Sequence, residues 1–258
     1  LNEQQYYKID PFDKAGPEIA YIFIWIILAS IIGGVFFGYI FGPLFLLIHK
    51  KILGIRLEYG IQDRHIPEEF KGYLKALFPS LMAINFAMIF TFHPWVQDLV
   101  IIDKNDPRMI LLTFVMLIPL MMGISMALFS GVWFLLDSGI VYTNRRRVLE
   151  KKYPVEVRSV GGWYLYLLKG YAGISVILTF YTFTSNIFNI LGSGGEIHWS
   201  TIVTLVPFPI FLSIFALPAI IILDMTTKHR EKYILRIAKK MGITGPLQDP
   251  LNIQIVKN

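Results

Sequence analysis

Polar side chains recur along one face of an otherwise apolar segment between residues 170 and 191. Successive members lie four, three, four and three residues apart, a spacing that gathers them into one stripe of an α-helix: Ser175, Thr179, Thr182, Asn186 and Asn189. Hydroxyl and amide groups without partners are costly in lipid, so we expect the stripe to face protein or water. Asn85, in an earlier apolar segment, is a candidate partner. The stripe indicates either a hydrogen-bonded seam between helices, which we favour, or a polar cavity for a small solute.

Small residues form two further stripes, each with a spacing of four. The first consists of Ser30, Gly34, Gly38 and Gly42, and the second of Gly123, Ala127 and Gly131. Such stripes let two helix backbones approach closely, so both predict helix packing in preference to the lining of a permeation path.

Ionisable groups give little indication of catalysis or metal binding. His93 and His198 could hold a metal together with Asp98 or Glu196, but their spacing matches no ligand motif. The sequence contains no Cys, which excludes disulfides, thiolate zinc sites, iron–sulfur clusters and Cys nucleophiles. We therefore predict no metal, no cofactor and no catalytic residue. Asp137 and Asp224, each at the end of an apolar run, are predicted to pair with neighbouring Arg or Lys.

The elements that carry these residues are long apolar runs. Of the 258 residues, 55% are hydrophobic and only 16% are charged, compared with about 25% charged in ordinary soluble domains. Five stretches contain no Asp, Glu, Lys or Arg and are long enough to cross a bilayer as a helix, for which about 20 residues suffice. We predict an all-α polytopic membrane protein with five spans, at about residues 19–48, 76–97, 109–136, 170–191 and 199–223.

Basic residues predict the orientation of these spans. The segments after the first, third and fifth spans hold 20 Lys and Arg residues, whereas the other connections hold four. The positive-inside rule therefore places the N-terminus outside and the C-terminus in the cytoplasm. The same basic segments favour contact with anionic lipid at the cytoplasmic face, and we do not expect nucleic-acid binding.

Three parts follow from this pattern: an outer arm at 1–18, a membrane domain at 19–224, and a cytoplasmic basic helix and tail at 225–258. Ile234, Ile237, Ala238 and Met241 would share one face of that helix. We also expect the third helix to continue past residue 136 to Pro154, with an extended piece at 155–160. High Ile content and the absence of Cys favour a prokaryotic plasma membrane.

Two functions of different classes fit the sequence. The favoured one is a non-catalytic integral membrane subunit or scaffold of a larger complex, with other membrane subunits or further copies of the chain as partners. The alternative is a permease or channel component that moves a small solute along the polar stripe of the fourth helix beside the proline-broken fifth. Pro207, Pro209 and Pro218 would bend that last helix.

Overall fold

The computed structural model describes residues 11–53, 57–59, 73–99, 107–143, 155–192, 208–243 and 253–255, and this part of the chain is mostly helical. The helices, in chain order, are α1 (Pro11–Ile31), π1 (Ile32–Phe37), α2 (Gly38–Leu47), π2 (Ile48–Ile52), α3 (Tyr73–Phe92), α4 (Pro94–Leu99), α5 (Pro107–Asp137), α6 (Val160–Gly192), α7 (Phe208–Met225) and α8 (Thr227–Lys240). The strands are β1 (Leu57–Tyr59), β2 (Ile140–Thr143), β3 (Val155–Ser159) and β4 (Ile253–Ile255).

The first helical segments form one continuous rod. Ile31, Phe37 and Leu47, which join its segments, all have right-handed helical backbone angles. Pro43 lies inside the rod, where it removes one backbone donor. The π segments each carry wider turns than an α-helix, and such insertions shift which side chains face a neighbouring helix.

Length and composition make two helices of the described part candidates for crossing a membrane: Ala20–Ile52, with 33 residues, and Leu112–Asp137, with 26. A third candidate arises if Pro209–Met225 and Thr227–Lys240, which meet at a bend of 65°, are counted as one span. Lys75–Thr91 is a shorter apolar helix. The apolar helices are compatible with a membrane location.

Helix α5 lies at the centre of the described bundle. It contacts α1, α2, α3, α6 and α8. Its side chains supply much of the core, including the fully buried Phe129, Phe134 and Leu135. A helix that is apolar on nearly all sides is suited to this central place, because it packs against several helices at once.

A small sheet makes the all-α prediction incomplete. The strand order is β1-β2-β3-β4, with the first two pairings antiparallel and the last parallel. β1, the β2–β3 pair and β4 come from the three segments that hold most of the Lys and Arg residues. The sheet therefore brings three basic segments together, although they are far apart in the sequence.

Several predicted helix boundaries differ from the observed ones. The third helix does not continue towards Pro154: it ends at Asp137, where Gly139 adopts a left-handed φ of 65° and the chain turns into β2. The predicted second span is interrupted at His93, because the proline that follows disfavours a helical conformation at that residue. The extended piece predicted at 155–160 is confirmed as β3, but Val160 already begins α6, ten residues before the predicted start of the fourth span. Of the arm predicted at residues 1–18, residues 1–10 lie outside the described residues and residues 11–18 form the start of α1.

Candidate functional site

The two stripes of small residues meet each other. Gly33, Gly34, Gly38 and Gly42 of the first rod all face α5, and we call this contact the glycine seam. Gly33 lies against Gly123 and Gly42 against Gly131. A methyl group added at Gly131 would lie 2.7 Å from Cβ of Phe41 and 2.9 Å from the backbone nitrogen of Gly42. Real Cβ atoms do not approach backbone so closely, so the seam depends on the absence of side chains.

The remaining stripe residues line the same region. Ala127 and Ser30 are both buried, and the Ser30 hydroxyl donates a hydrogen bond to the Ile26 carbonyl of its own helix at 2.7 Å. Across the seam, the Ser130 hydroxyl donates to the Gly34 carbonyl. This bond satisfies a polar group between helices at a point where water has no access.

Gly33 is a seam residue that the spacing argument missed. A methyl group on it would overlap the backbone carbonyl of Gly123, a closer approach than at any other glycine described. Gly33 falls outside the series of residues four apart that begins at Ser30. It lies three residues after Ser30, however, and residues three apart share a face of a helix, so Gly33 and Gly34 are both buried against neighbouring helices.

The polar stripe of α6 is described only at its beginning. Asn85 of α3 is 5% exposed, and its amide nitrogen donates to the Tyr171 hydroxyl of α6 at 2.8 Å. Ser175, also buried, donates to the Tyr171 carbonyl at 2.8 Å. Thr179, Thr182, Asn186 and Asn189 belong to α6, but their side chains lie outside the described residues. Asn85 therefore joins α3 to α6 through Tyr171, one turn before Ser175, whereas Ser175 bonds within its own helix.

Four charged residues from four helices form a cluster at one end of the bundle: Lys75 of α3, Asp137 of α5, Asp224 of α7 and Arg230 of α8. Lys75 Nζ lies 2.7 Å from Asp224 Oδ1, and Arg230 Nη1 lies 3.2 Å from Asp137 Oδ2. Asp137 and Asp224 were expected to pair with nearby basic residues, and both carboxylates do have a cationic partner. In both ion pairs, however, the partner comes from a distant part of the chain and not from the basic segment that directly follows each Asp.

Arg230 is the central member of this cluster. Its side chain is 3% exposed, and Nη2 donates to the Thr227 hydroxyl at 2.9 Å and to the Leu223 carbonyl. The guanidinium carbon lies 5.0 Å from the centre of the Phe134 ring, within range of a cation–π contact. Nε and Nη1 have no directed hydrogen bond to any described residue, so Asp137 acts on Nη1 by charge attraction.

Burial and neighbouring charges act on the Arg230 pKa in opposite directions. Burial lowers the pKa below its ordinary value, while the carboxylates of Asp137 and Asp224 act to raise it. Because a guanidinium remains protonated in proteins, the net result is a buried cation that requires its carboxylate partner. The signal in the sequence was the position of Arg230, four residues before Ile234 and hence on the apolar face of α8.

His49, in π2, is the other buried ionisable residue that the sequence did not single out. It is fully buried, and its ring lies 5.1 Å from that of Tyr142, 5.4 Å from that of Trp163 and 5.7 Å from that of Tyr164. Neither ring nitrogen hydrogen-bonds to a described residue. The side chain packs as an aromatic ring that joins π2 to β2 and α6.

Of the two histidines considered for a metal site, the structure describes only His93. His93 is exposed, and its Nδ1 accepts a hydrogen bond from the backbone of Trp95 at 3.3 Å. His198 and Glu196 lie outside the described residues. Among the residues that are described, no group of three or more His, Asp or Glu side chains is arranged to hold a metal ion.

Comparison of the chain with protein-family models, curated proteins and solved structures finds no match.

Proposed function

We propose that this chain is a multi-pass integral membrane protein and serves as a non-catalytic subunit or scaffold of a larger membrane complex. In this proposal it crosses the bilayer five times, with the N-terminus outside and the C-terminus in the cytoplasm of a prokaryotic cell. Other membrane subunits or further copies of the chain are its partners.

The arrangement of the sheet supports the proposed topology. β1 precedes α3 and α5, and β2 and β3 follow them, so this helix pair must leave the sheet and return to it. α6 and α7 likewise lie between β3 and β4. The pairs α3–α5 and α6–α7, together with the first rod, make five spans. All four described strands then lie on the same side of the membrane. That side carries the basic segments, as the positive-inside rule requires of the cytoplasm.

The outer face of the first rod supports contact with lipid or with another membrane subunit. Exposed apolar residues recur there every three or four positions: Tyr21, Trp25, Leu28, Ile32, Phe36, Ile40 and Leu44. The opposite face of the same rod forms the glycine seam. A continuous apolar stripe of this length has no favourable environment in water.

The observation that carries the proposed role is that polar groups of the described bundle connect its helices to one another. Asn85 joins α3 to α6, and the Tyr164 hydroxyl joins α6 to α2 by donating to the Phe45 carbonyl at 3.0 Å. The charged cluster joins α3 to α7 and α5 to α8. Polar groups used in this way hold a rigid frame together, which is the property that a scaffold needs.

The mass of the native particle in mild detergent tests the proposed role. We expect the full chain, purified under native conditions from its source membrane, to migrate as a stable complex with other membrane proteins. A small homo-oligomer that transports a solute in liposomes would overturn this proposal and favour a permease.

Labelling of single cysteines tests the topology independently, because the chain has no Cys of its own. Asp98 and Lys240 are both exposed. In intact cells an impermeant reagent should modify an Asp98→Cys variant and leave Lys240→Cys unmodified until the membrane is permeabilised. The reverse pattern would contradict the proposed orientation, and equal labelling in intact cells would contradict the placement of these residues on opposite sides.

A further inference from the structure

The exposed face of α8 is entirely basic. Each exposed residue between Thr227 and Lys240 is a Lys, an Arg or a His: Lys228, His229, Lys232, Arg236, Lys239 and Lys240. At about 100° per residue they cover one arc of about 120° around the helix. We call this arc the cationic face. Glu231 is the single acid in the helix sequence, and it lies on the half-buried flank outside this arc.

The opposite face of α8 fixes its orientation. Arg230, Ile234 and Ala238 are buried, and Cδ1 of Ile234 would lie 2.9 Å from a methyl group added at Gly42. The Tyr233 hydroxyl donates to the Tyr39 carbonyl at 3.1 Å, and Lys50 donates from its side chain to the Met241 carbonyl just past the helix end. These contacts run the length of α8, so the cationic face must point away from the bundle.

The connection to α7 places α8 at the edge of the membrane in the proposed topology. Only Thr226 separates the two helices, and their axes differ in direction by 65°. A helix that turns by this angle from a spanning helix runs nearer to the membrane plane than to its normal. Its basic residues then lie at the depth of the phospholipid headgroups, where lysine and arginine are favoured.

We propose that the cationic face of α8 binds the headgroups of anionic phospholipids in the cytoplasmic leaflet. The proposal rests on the membrane topology put forward above and adds the element, the face and the chemistry of the lipid. Charge complementarity favours anionic lipid as the ligand. The cationic face has five Lys and Arg residues and no acid, and in the proposed topology it lies next to a bilayer surface that carries phosphate charges.

Spin-labelled lipids test the proposal with the full chain reconstituted in phosphatidylcholine bilayers. Labelled phosphatidylglycerol and labelled phosphatidylcholine are added separately, and the fraction of each that the protein immobilises is measured. We expect the wild-type chain to prefer phosphatidylglycerol. The variant Lys232→Gln/Arg236→Gln/Lys239→Gln should reduce this preference by at least about fivefold, the factor for a single basic residue at a membrane surface.

The matched control keeps the charge and changes the side chains: Lys232→Arg/Arg236→Lys/Lys239→Arg should retain the wild-type preference.

Raising the salt from 0.1 to 1 M shortens the screening length from about 10 to about 3 Å and should remove the preference in the wild-type chain, a result that does not depend on any variant folding. Phosphatidylglycerol preference that survives both high salt and the glutamine variant would overturn the proposal. The proposal would also be overturned if the glutamine variant lost an acidic protein partner while its lipid preference stayed unchanged. In that case the cationic face binds that protein. Equal immobilisation of both lipids by the wild-type chain refutes the lipid proposal alone, whereas immobilisation of neither refutes the membrane topology.

Discussion

Replacing Gly131 with Ala tests the glycine seam, because the new methyl group has no free space. It would lie 2.7 Å from Cβ of Phe41 and 2.9 Å from backbone atoms of Phe41 and Gly42. Carbon atoms in favourable contact are about 3.5–4.0 Å apart, so the shortfall is about 1 Å. Backbone atoms cannot rotate away from the methyl group, so α5 and the first rod must move apart.

The size of the effect follows from this separation. Gaps of about 0.5–1 Å forfeit a quarter to a half of the dispersion energy between facing atoms, and overpacking of a close contact costs about 1–3 kcal/mol. Gly173 of α6 is the matched control, because a methyl group there meets nothing within 4 Å. At a helical position without a clash, Gly→Ala stabilises by about 0.4–1 kcal/mol. The two variants should therefore differ by about 1.5–4 kcal/mol in the free energy of unfolding.

Thermal unfolding of both variants in the same detergent measures this difference. For a chain of this size, 1 kcal/mol corresponds to about 2–4 °C in Tm, so Gly131→Ala should unfold at least about 3 °C below Gly173→Ala. A Gly131→Ala protein as stable as Gly173→Ala would show that the seam tolerates a side chain, and would refute the close approach of these two helices.

Three other substitutions have defined outcomes. Gly38→Leu should abolish the yield of folded protein, because its side chain would enter α5, whereas Phe37→Leu at an exposed position should not; equal yields would contradict this. Arg230→Met should lower the free energy of unfolding by about 3 kcal/mol, because it leaves the Asp137 carboxylate without its cation. Adding Asp137→Leu to that variant should restore part of the lost stability. A double variant less stable than the single one would argue against the buried pair. Asn85→Leu should cost about 0.6–1 kcal/mol by removing one interhelical hydrogen bond, and an unchanged midpoint of denaturation would show that this bond contributes nothing.

The helical positions were predictable because they depend on local composition. Long runs without charge can satisfy their backbone groups in lipid only as helices, and the observed helices follow those runs. The spacing of Gly34, Gly38 and Gly42 indicated close packing, but it could not identify α5 as the partner. A spacing of four also omits Gly33, which lies three residues after Ser30 on the same helix face.

The sheet and the Arg230 contacts were not predictable from local sequence. The described strands are only three to five residues long, and each is stabilised by partners from another part of the chain. Leu57, for example, pairs with Tyr142 across three intervening helices, α3, α4 and α5. The place of Arg230 on the apolar face of α8 could have been noticed, but its partner Asp137 follows only from the three-dimensional arrangement.

The strand pairings also constrain the order in which the chain can assemble during its synthesis. Leu57 leaves the ribosome roughly 85 residues before its partner Tyr142, which at about 5–20 residues per second corresponds to a delay of about 4–17 s. In the proposed topology two helices enter the bilayer in that interval, while the hydrogen-bonding edge of β1 has no strand beside it. β4 is made about another 100 residues later, so the parallel pairing with Val155–Val157 closes last. The sheet is therefore completed after all the described helices have been made. In the proposed topology, a ribosome paused before residue 253 would hold an inserted bundle whose cytoplasmic strands still lack their final neighbour.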